Sequence, residues 1–161
     1  MMRDVVSQQE RPVFEKFLHA AIDEARKGLS EGGIPIGSAL GNLEGEILAV
    51  GHNMRVQLGD PMAHAEISCL RNAGRLPSFR GLILASSLMP CCLCSGAAIQ
   101  FGIGTVVVGE SKTFPGERAL MESRNIRVVD FDHPDCIQFM TEFIRRRPDL
   151  WNEDIGVEKK D

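Results

Sequence analysis

Apolar residues recur at the spacing of one helix face near the start of the chain. Between Pro12 and Leu29 they lie three or four positions apart, and the repeat ends before Gly32-Gly33. This period predicts an amphipathic helix with one face on the core. The residues of that face are Phe14, Phe17, Leu18, Ala21, Ile22, Ala25 and Leu29.

Shorter apolar runs and further helical patterns alternate in the rest of the chain. Residues 36–43 and 46–51 flank Glu44-Gly45, a pair typical of a turn, and predict an antiparallel hairpin. The remaining patterns predict a helix at 63–73, a strand at 82–88, a helix at 91–101, strands at 105–108 and 127–131, and a helix at 134–146. This order predicts an α/β fold, in which helices cover both faces of a mixed sheet.

Length and composition indicate the class of protein. The chain has 161 residues, of which 43% are hydrophobic, and we expect residues 1–161 to form a single domain. No segment approaches the roughly 18 consecutive apolar residues of a membrane span, and Met1 to Gln9 lacks the apolar stretch of a secretory leader. Five cysteines, an odd number, do not suit a secreted disulfide framework. We therefore expect a cytoplasmic protein that does not contact membranes.

The charge balance bears on possible partners. The sequence has 18 Lys and Arg residues against 22 Asp and Glu residues, a net charge of -4. Electrostatic attraction supplies most non-specific affinity for nucleic acid, so this balance favours a small substrate over a polynucleotide. The basic cluster Arg145-Arg146-Arg147 lies at the end of a predicted helix, where cations complement the helix dipole.

A split pattern of metal-binding side chains lies in the middle of the chain. It consists of His64-Ala65-Glu66 and, further along, Pro90-Cys91-Cys92-Leu93-Cys94. One imidazole and two thiolates can hold a zinc ion whose fourth position is open to water, and a nearby carboxylate can move the protons of that water. This spacing is the signature of the zinc-dependent nucleobase deaminases. It predicts a hydrolytic site with one zinc ion per chain.

A redox motif and a structural zinc site are the alternatives for the two cysteines. A structural site needs four protein ligands, and Cys69 and Cys136 form no second close pair in the sequence. His19, His52 and His133 also lack a nearby metal-like partner. Three ligands with an open position therefore favour a catalytic zinc ion.

The predicted helices explain how the ligands converge. Cys91 lies at the start of its helix, Cys94 one turn further along the same face, and His64 near the start of the preceding helix. The positive end of a helix dipole stabilises a thiolate. We expect two helix N-termini to meet around the metal, with Glu66 pointing into the adjoining pocket.

Four further segments accompany the zinc motif, and with it they resemble the cytidine deaminase superfamily, particularly the fungal-type cytosine deaminases that act on the free base. The segments are Glu31-Gly32-Gly33-Ile34-Pro35-Ile36-Gly37, Gly51-His52-Asn53-Met54-Arg55, Val108-Gly109-Glu110 and Trp151-Asn152-Glu153-Asp154-Ile155-Gly156. The resemblance implies a three-layer α/β/α sandwich with a mixed five-stranded sheet, assembled as a homodimer. His64, Cys91 and Cys94 would bind zinc, and Glu66 would carry protons.

The same resemblance implies a substrate pocket. Asn53 would hydrogen-bond the edge of a pyrimidine, Asp154 would accept from its exocyclic amine, and Phe114 and Trp151 would enclose the ring. Residues 148–161 would cover the pocket. An asparagine amide offers the ring both a donor and an acceptor.

Each of these four residues has a simpler alternative. Asn53 is compatible with a turn after the second strand, Phe114 and Trp151 with ordinary core aromatics, and Asp154 with a surface carboxylate. Met89 departs from the pattern of the relatives, which often have Ser or Thr before the Pro-Cys pair.

A second departure concerns the substrate. Asp60-Pro61-Met62-Ala63-His64-Ala65-Glu66 resembles the version common in guanine and transfer-RNA adenosine deaminases. The predicted function is zinc-dependent hydrolytic deamination of a free nucleobase, with cytosine converted to uracil and ammonia. The alternatives are deamination of guanine or another aminoheterocycle, of transfer-RNA adenosine, or a catalytically silent zinc-binding module.

Overall fold

The computed structural model of the chain describes residues 5–158. The first four residues of the polar start and the last three residues of the predicted cover lie outside the described residues. The elements are α1 (Arg11–Ser30), β1 (Gly37–Gly41), β2 (Ile47–His52), α2 (Arg55–Leu58), α3 (Ala65–Ala73), β3 (Ile83–Ser86), α4 (Cys92–Phe101), β4 (Thr105–Val108), α5 (Arg118–Glu122), β5 (Arg127–Asp130), α6 (Pro134–Arg146) and α7 (Pro148–Asp154).

The strands form one five-stranded sheet in the order β2-β1-β3-β4-β5. β1 pairs antiparallel with both β2 and β3, which confirms the predicted hairpin. β3, β4 and β5 pair in parallel, because α4 and α5 carry the chain back between them. The predicted mixed sheet is therefore confirmed.

Alternate strand residues pack against helices on opposite faces of the sheet. Leu84 and Val106 contact the side formed by α3, α4 and α5, whereas Ile83 and Val107 contact the side formed by α1 and α6. The alternation follows from the period of two in an extended strand. It produces the predicted α/β/α sandwich. The apolar face of α1 is buried as the 3.6-residue pattern indicates, except for Leu29 near the end of the helix, which is 44% exposed.

A third apolar cluster joins the end of the chain to the edge of this core. Trp151 of α7 packs with Met140 and Phe143 of α6 and with Ile36 before β1. Burial of these side chains seats α7 beside the N-terminus of α3, since Ala65 belongs to the same cluster.

Three short helices were not predicted. α2, α5 and α7 contain 4, 5 and 7 residues, which is too few for a repeating helical pattern to stand out in the sequence. The structure thus adds a helix that the sequence did not predict, and this helix makes up most of the pocket cover within residues 148–158. Between residues 5 and 158, no helix has both the length and the apolar character required to cross a membrane.

Candidate active site

Two helix N-termini place the metal-binding side chains side by side. His64 is the N-cap of α3 and Cys91 the N-cap of α4, both with extended backbone. Cys94 lies in the first turn of α4, so the i to i+3 spacing brings its sulfur near that of Cys91. The three ligand atoms lie within 4.8 Å of one another, and among residues 5–158 no other three-residue His, Cys, Asp or Glu cluster is as compact.

The cluster fits zinc in both chemistry and spacing. His64 Nδ1 lies 3.5 Å from Cys91 Sγ. Two such ligands on a tetrahedral zinc ion, at ordinary Zn–N and Zn–S bond lengths, would be about 3.6 Å apart. Imidazole and thiolate are also donors that select zinc. His64, Cys91 and Cys94 can therefore hold one zinc ion.

Hydrogen bonds among the three ligands shift the pKa of each of them. A hydrogen bond from the Cys94 thiol lowers the pKa of Cys91 to about 4, although burial opposes this effect. Burial opposes a charged His64, yet its hydrogen bond to Cys91 and the charge of Asp154 raise its pKa to about 9. Because Cys94 donates to Cys91 and is buried, its own pKa is raised. These shifts favour the thiolate form of Cys91, and metal binding would displace protons from His64 and Cys94.

Asp154 lies behind the histidine ligand as well as in the pocket. Its Oδ1 atom is 3.8 Å from Nε2 of His64, on the opposite side of the imidazole from Cys91. A carboxylate near the second nitrogen of a metal-binding histidine orients the ring and makes it more basic. This contact was not expected from the sequence, because Asp154 belongs to a different helix at the other end of the chain.

Glu66 lies in the first turn of α3 beside this cluster. The residue is 4% exposed, and its Oε1 accepts a hydrogen bond of 2.8 Å from the hydroxyl of Ser86. Burial first, and the negative charge of Cys91 second, raise the pKa of Glu66. A raised carboxyl pKa favours retention of a proton, as suits a group that passes protons during a reaction.

A narrow cavity of about 20 Å³ adjoins the cluster. This is room for about one water molecule, so a planar base would enter only if the lining side chains move apart. The lining residues include Glu66 and all four predicted substrate-binding residues. The complete lining consists of Ile36, Asn53, His64, Ala65, Glu66, Leu88, Met89, Cys91, Phe114, Trp151, Asp154 and Ile155. Six separate segments of the chain therefore meet at one site.

Hydrogen bonds give the amide of Asn53 one orientation. Its Nδ2 donates to Asp154 Oδ1 at 3.0 Å, and its Oδ1 accepts from the backbone N–H of Arg55 at 3.0 Å. The carbonyl side thus stabilises the turn into α2, as the simpler alternative proposed. The second N–H of the amide and the second lone pair of its oxygen are left for a ligand, so the donor and the acceptor that we expect Asn53 to offer a ring are both compatible with this orientation.

Two aromatic rings form a corner of the cavity. Phe114 and Trp151 pack edge to face, with ring centroids 5.7 Å apart and planes at 88°. Both rings also contact the apolar cluster around α6 and α7. The same two side chains therefore belong to the core and to the wall of the cavity. A flat ring could lie against either face of this corner.

Two residues without a predicted role support the pocket. Arg55 is largely buried, with Nη1 3.6 Å from Asp154 Oδ1. Glu110 is fully buried, and its carboxylate accepts from the backbone N–H groups of Lys112 and Thr113 and from the Thr113 hydroxyl. These bonds order the loop that carries Phe114. Both Glu110 and Arg55 belong to segments of the resemblance, but neither had an assigned role.

The remaining histidine and cysteine side chains form no comparable site within residues 5–158. His52 contacts Glu24 and Glu31 through opposite ring nitrogens, at 2.6 and 2.8 Å, so the two carboxylates do not converge on one point. Burial raises the pKa of both Cys69 and Cys136 to about 12. These two thiols are therefore unreactive near neutral pH.

Comparisons with known proteins agree with this geometry. The chain is 41% identical to a cytosine deaminase of Candida albicans over 144 residues, which cover 88% of this chain and 96% of that protein. It is 36% identical to a transfer-RNA-specific adenosine deaminase of Haemophilus influenzae over 100 residues, which cover 60% of this chain and 58% of that protein.

A solved structure of a guanine deaminase from Nitrosomonas europaea has the same fold. It superposes with a TM-score of 0.67 at 20% identity, over 89% of this chain and 96% of that one. The sequence family described as the cytidine and deoxycytidylate deaminase zinc-binding region matches residues 12–110. That match covers more than half of the chain and includes the four residues of the split pattern, so this chain belongs to the zinc-dependent cytidine and deoxycytidylate deaminase family.

Proposed function

We propose that this protein is a zinc-dependent cytosine deaminase that converts free cytosine and water to uracil and ammonia. The observation that carries the proposal is the small cavity in which Glu66 and the open side of the metal cluster meet Asn53, Asp154, Phe114 and Trp151. The Candida albicans relative, similar over nearly its whole length, supports cytosine as the base.

The side chains of the cavity have distinct roles in this reaction. When bound, zinc acidifies a water molecule and so supplies the nucleophile. Glu66 takes a proton from the water and delivers it to ring nitrogen N3, which prevents a localised anion as C4 is attacked. Glu66 then takes the proton of the hydroxyl that has added to C4 and delivers it to the departing amine, which leaves as ammonia and gives uracil. Asp154 accepts from the exocyclic amine, and Asn53 donates to the ring carbonyl.

A free base suits this site better than a polynucleotide. Trp151 and Asp154 of α7 lie over the cavity and are buried, so a base attached to a strand would have to displace the helix. The net charge of -4 also disfavours nucleic acid. We place the activity in cytoplasmic pyrimidine salvage, where it would supply uracil.

Ammonia release from a panel of bases tests the proposal. Purified, zinc-loaded protein is incubated with cytosine, cytidine, adenine, guanine and isocytosine, and cytosine is expected to be the best substrate. Activity on guanine without activity on cytosine would overturn the assignment. Silence on every base with zinc fully bound would instead support the zinc-binding module.

Replacement of Asp154 separates substrate binding from metal binding. We expect Asp154→Ala to lower kcat/KM for cytosine by about 10- to 100-fold, because the amine and the second nitrogen of His64 both lose their acceptor. Zinc content at saturating zinc should stay at one ion per chain. The matched control is Glu153→Ala, which removes the neighbouring exposed carboxylate of α7. Equal kcat/KM values for the two variants would remove Asp154 from the site.

We also propose that the protein is a homodimer, as its resemblance to the superfamily implies. The support in this chain is an apolar groove between α3 and α4, where Phe79 and Phe101 pack with centroids 5.2 Å apart. Phe101 is 46% exposed in the single chain. Exposed apolar grooves of this kind mark interaction sites.

A charge placed in this groove tests the dimer. Phe101→Glu is expected to convert the protein from dimer to monomer in light scattering coupled to gel filtration, because a carboxylate that must lose its water on burial would replace the apolar ring. Leu43→Glu is the control, since Leu43 is 61% exposed at the hairpin end. A wild-type protein that is monomeric at micromolar concentration would refute the proposal.

A further inference from the structure

A buried serine hydroxyl contacts the carboxylate of Glu66. Ser86 is fully buried, and its Oγ donates to Glu66 Oε1 at 2.8 Å. A hydrogen bond to a carboxylate is stronger than one between neutral groups. Ser86 is not among the residues that line the cavity. The hydrogen bond to Glu66 therefore comes from a residue outside the cavity lining.

The hydroxyl is held by the rigid centre of the sheet. Ser86 is the last residue of β3, and it lies opposite Ser38 of β1 and Val108 of β4. Strands on both sides thus limit its movement. The partner, Glu66, lies in the first turn of α3, next to the metal ligand that caps the same helix. The hydrogen bond joins two elements that are each fixed by their own packing.

A fixed carboxylate matters because a glutamate side chain has three rotatable bonds. If one oxygen is tethered, the other keeps a constant position relative to the metal cluster and the bound base. Proton transfer requires donor and acceptor within hydrogen-bond distance, and a displacement of roughly 1 Å can cost about 10²-fold in rate.

We propose that Ser86 is a positioning residue that holds Glu66 in line with the base during deamination. This inference rests on the proposed function, since it assigns a role within that reaction. Ser86 neither touches the substrate nor moves a proton. Its removal should therefore slow the chemical step without weakening the binding of cytosine or zinc.

Three variants distinguish this positioning role from the general effect of removing a buried hydroxyl. Ser86→Ala removes the tether, and Ser86→Thr keeps a hydroxyl at the same position. Ser38→Ala is the matched control, because Ser38 is also fully buried and lies directly opposite Ser86. Its hydroxyl donates to the backbone carbonyl of Ala85 at 2.7 Å instead of to Glu66.

The measurements are kcat, KM, the single-turnover rate and zinc content for each protein. Ser86→Ala is expected to lower kcat and the single-turnover rate by about 10- to 100-fold, with KM within about twofold of wild type and zinc unchanged. Ser86→Thr should recover most of the rate. Ser38→Ala should keep a rate within about twofold of wild type, despite a comparable loss in melting temperature.

Three results would overturn the role of Ser86: equal rates for Ser86→Ala and Ser38→Ala, a loss confined to KM, or Ser86→Thr as slow as Ser86→Ala. Failure of the proposed function is recognised separately, from wild-type protein that does not release ammonia from cytosine. If wild type acts on another base of the panel, the same variants are compared on that base. Wild-type silence on every base would overturn both inferences.

Discussion

Glu66→Gln is expected to keep its zinc ion and to lose about 10²- to 10⁴-fold in kcat, the usual contribution of positioned acid-base catalysis. Glutamine has the same shape as glutamate and can still accept the hydrogen bond from Ser86. It cannot take up and release a proton near neutral pH. The substitution therefore removes the proton carrier and leaves the fold and the metal ligands in place.

Metal analysis and ammonia release from the same preparation check this prediction. Glu44→Gln is a suitable control, because Glu44 is an exposed residue of the hairpin turn and should retain wild-type turnover. Wild-type turnover in Glu66→Gln would show that Glu66 is not the proton carrier. Loss of zinc together with activity would mean that the carboxylate supports the metal site instead.

Cys94→Ser is expected to lose zinc, activity and part of the thermal stability together. Cys94 is fully buried, and without its sulfur only two protein ligands remain. At free zinc a thousand times the dissociation constant, a bound metal stabilises the folded state by about 4 kcal/mol. For a chain of this size, that energy corresponds to a melting temperature about 8 to 16 °C higher.

Melting curves with zinc and with a chelator test this coupling. Chelation should lower the melting temperature of wild type and leave that of Cys94→Ser unchanged, since this variant has no zinc to lose. Cys92→Ser is the matched control, because Cys92 lies between the ligands but is exposed. It should keep zinc and activity. A chelator response of wild-type size in Cys94→Ser would exclude this thiol as a ligand.

The zinc ligands could be predicted from the sequence because local geometry determines most of their arrangement. Cys91 and Cys94 are three residues apart at the start of one helix, which aims both sulfurs the same way. His64 and Glu66 likewise flank the start of α3. The N-termini of the two helices must also lie side by side in the fold, and the predicted alternation of strands and helices already suggested that arrangement.

The supporting residues could not be predicted, because their partners are distant in sequence and their own patterns are ordinary. A serine at the end of a buried strand, such as Ser86, has no feature that points to a carboxylate 20 residues earlier. Asp154 lies 101 residues from Asn53, its hydrogen-bond partner. The contact between them depends on α7, a helix too short to produce a pattern.

The sequence by itself determined the class of fold and the side chains that we propose as metal ligands and proton carrier, because hydrophobic period and short motif spacing are local properties of the chain. Only the tertiary structure decided which groups line the cavity and how they are held. It turned the amide of Asn53 toward Asp154 and brought Ser86 behind Glu66. Those contacts depend on the packing of separate elements, and burial makes each unpaired polar group costly enough that its partner is specified.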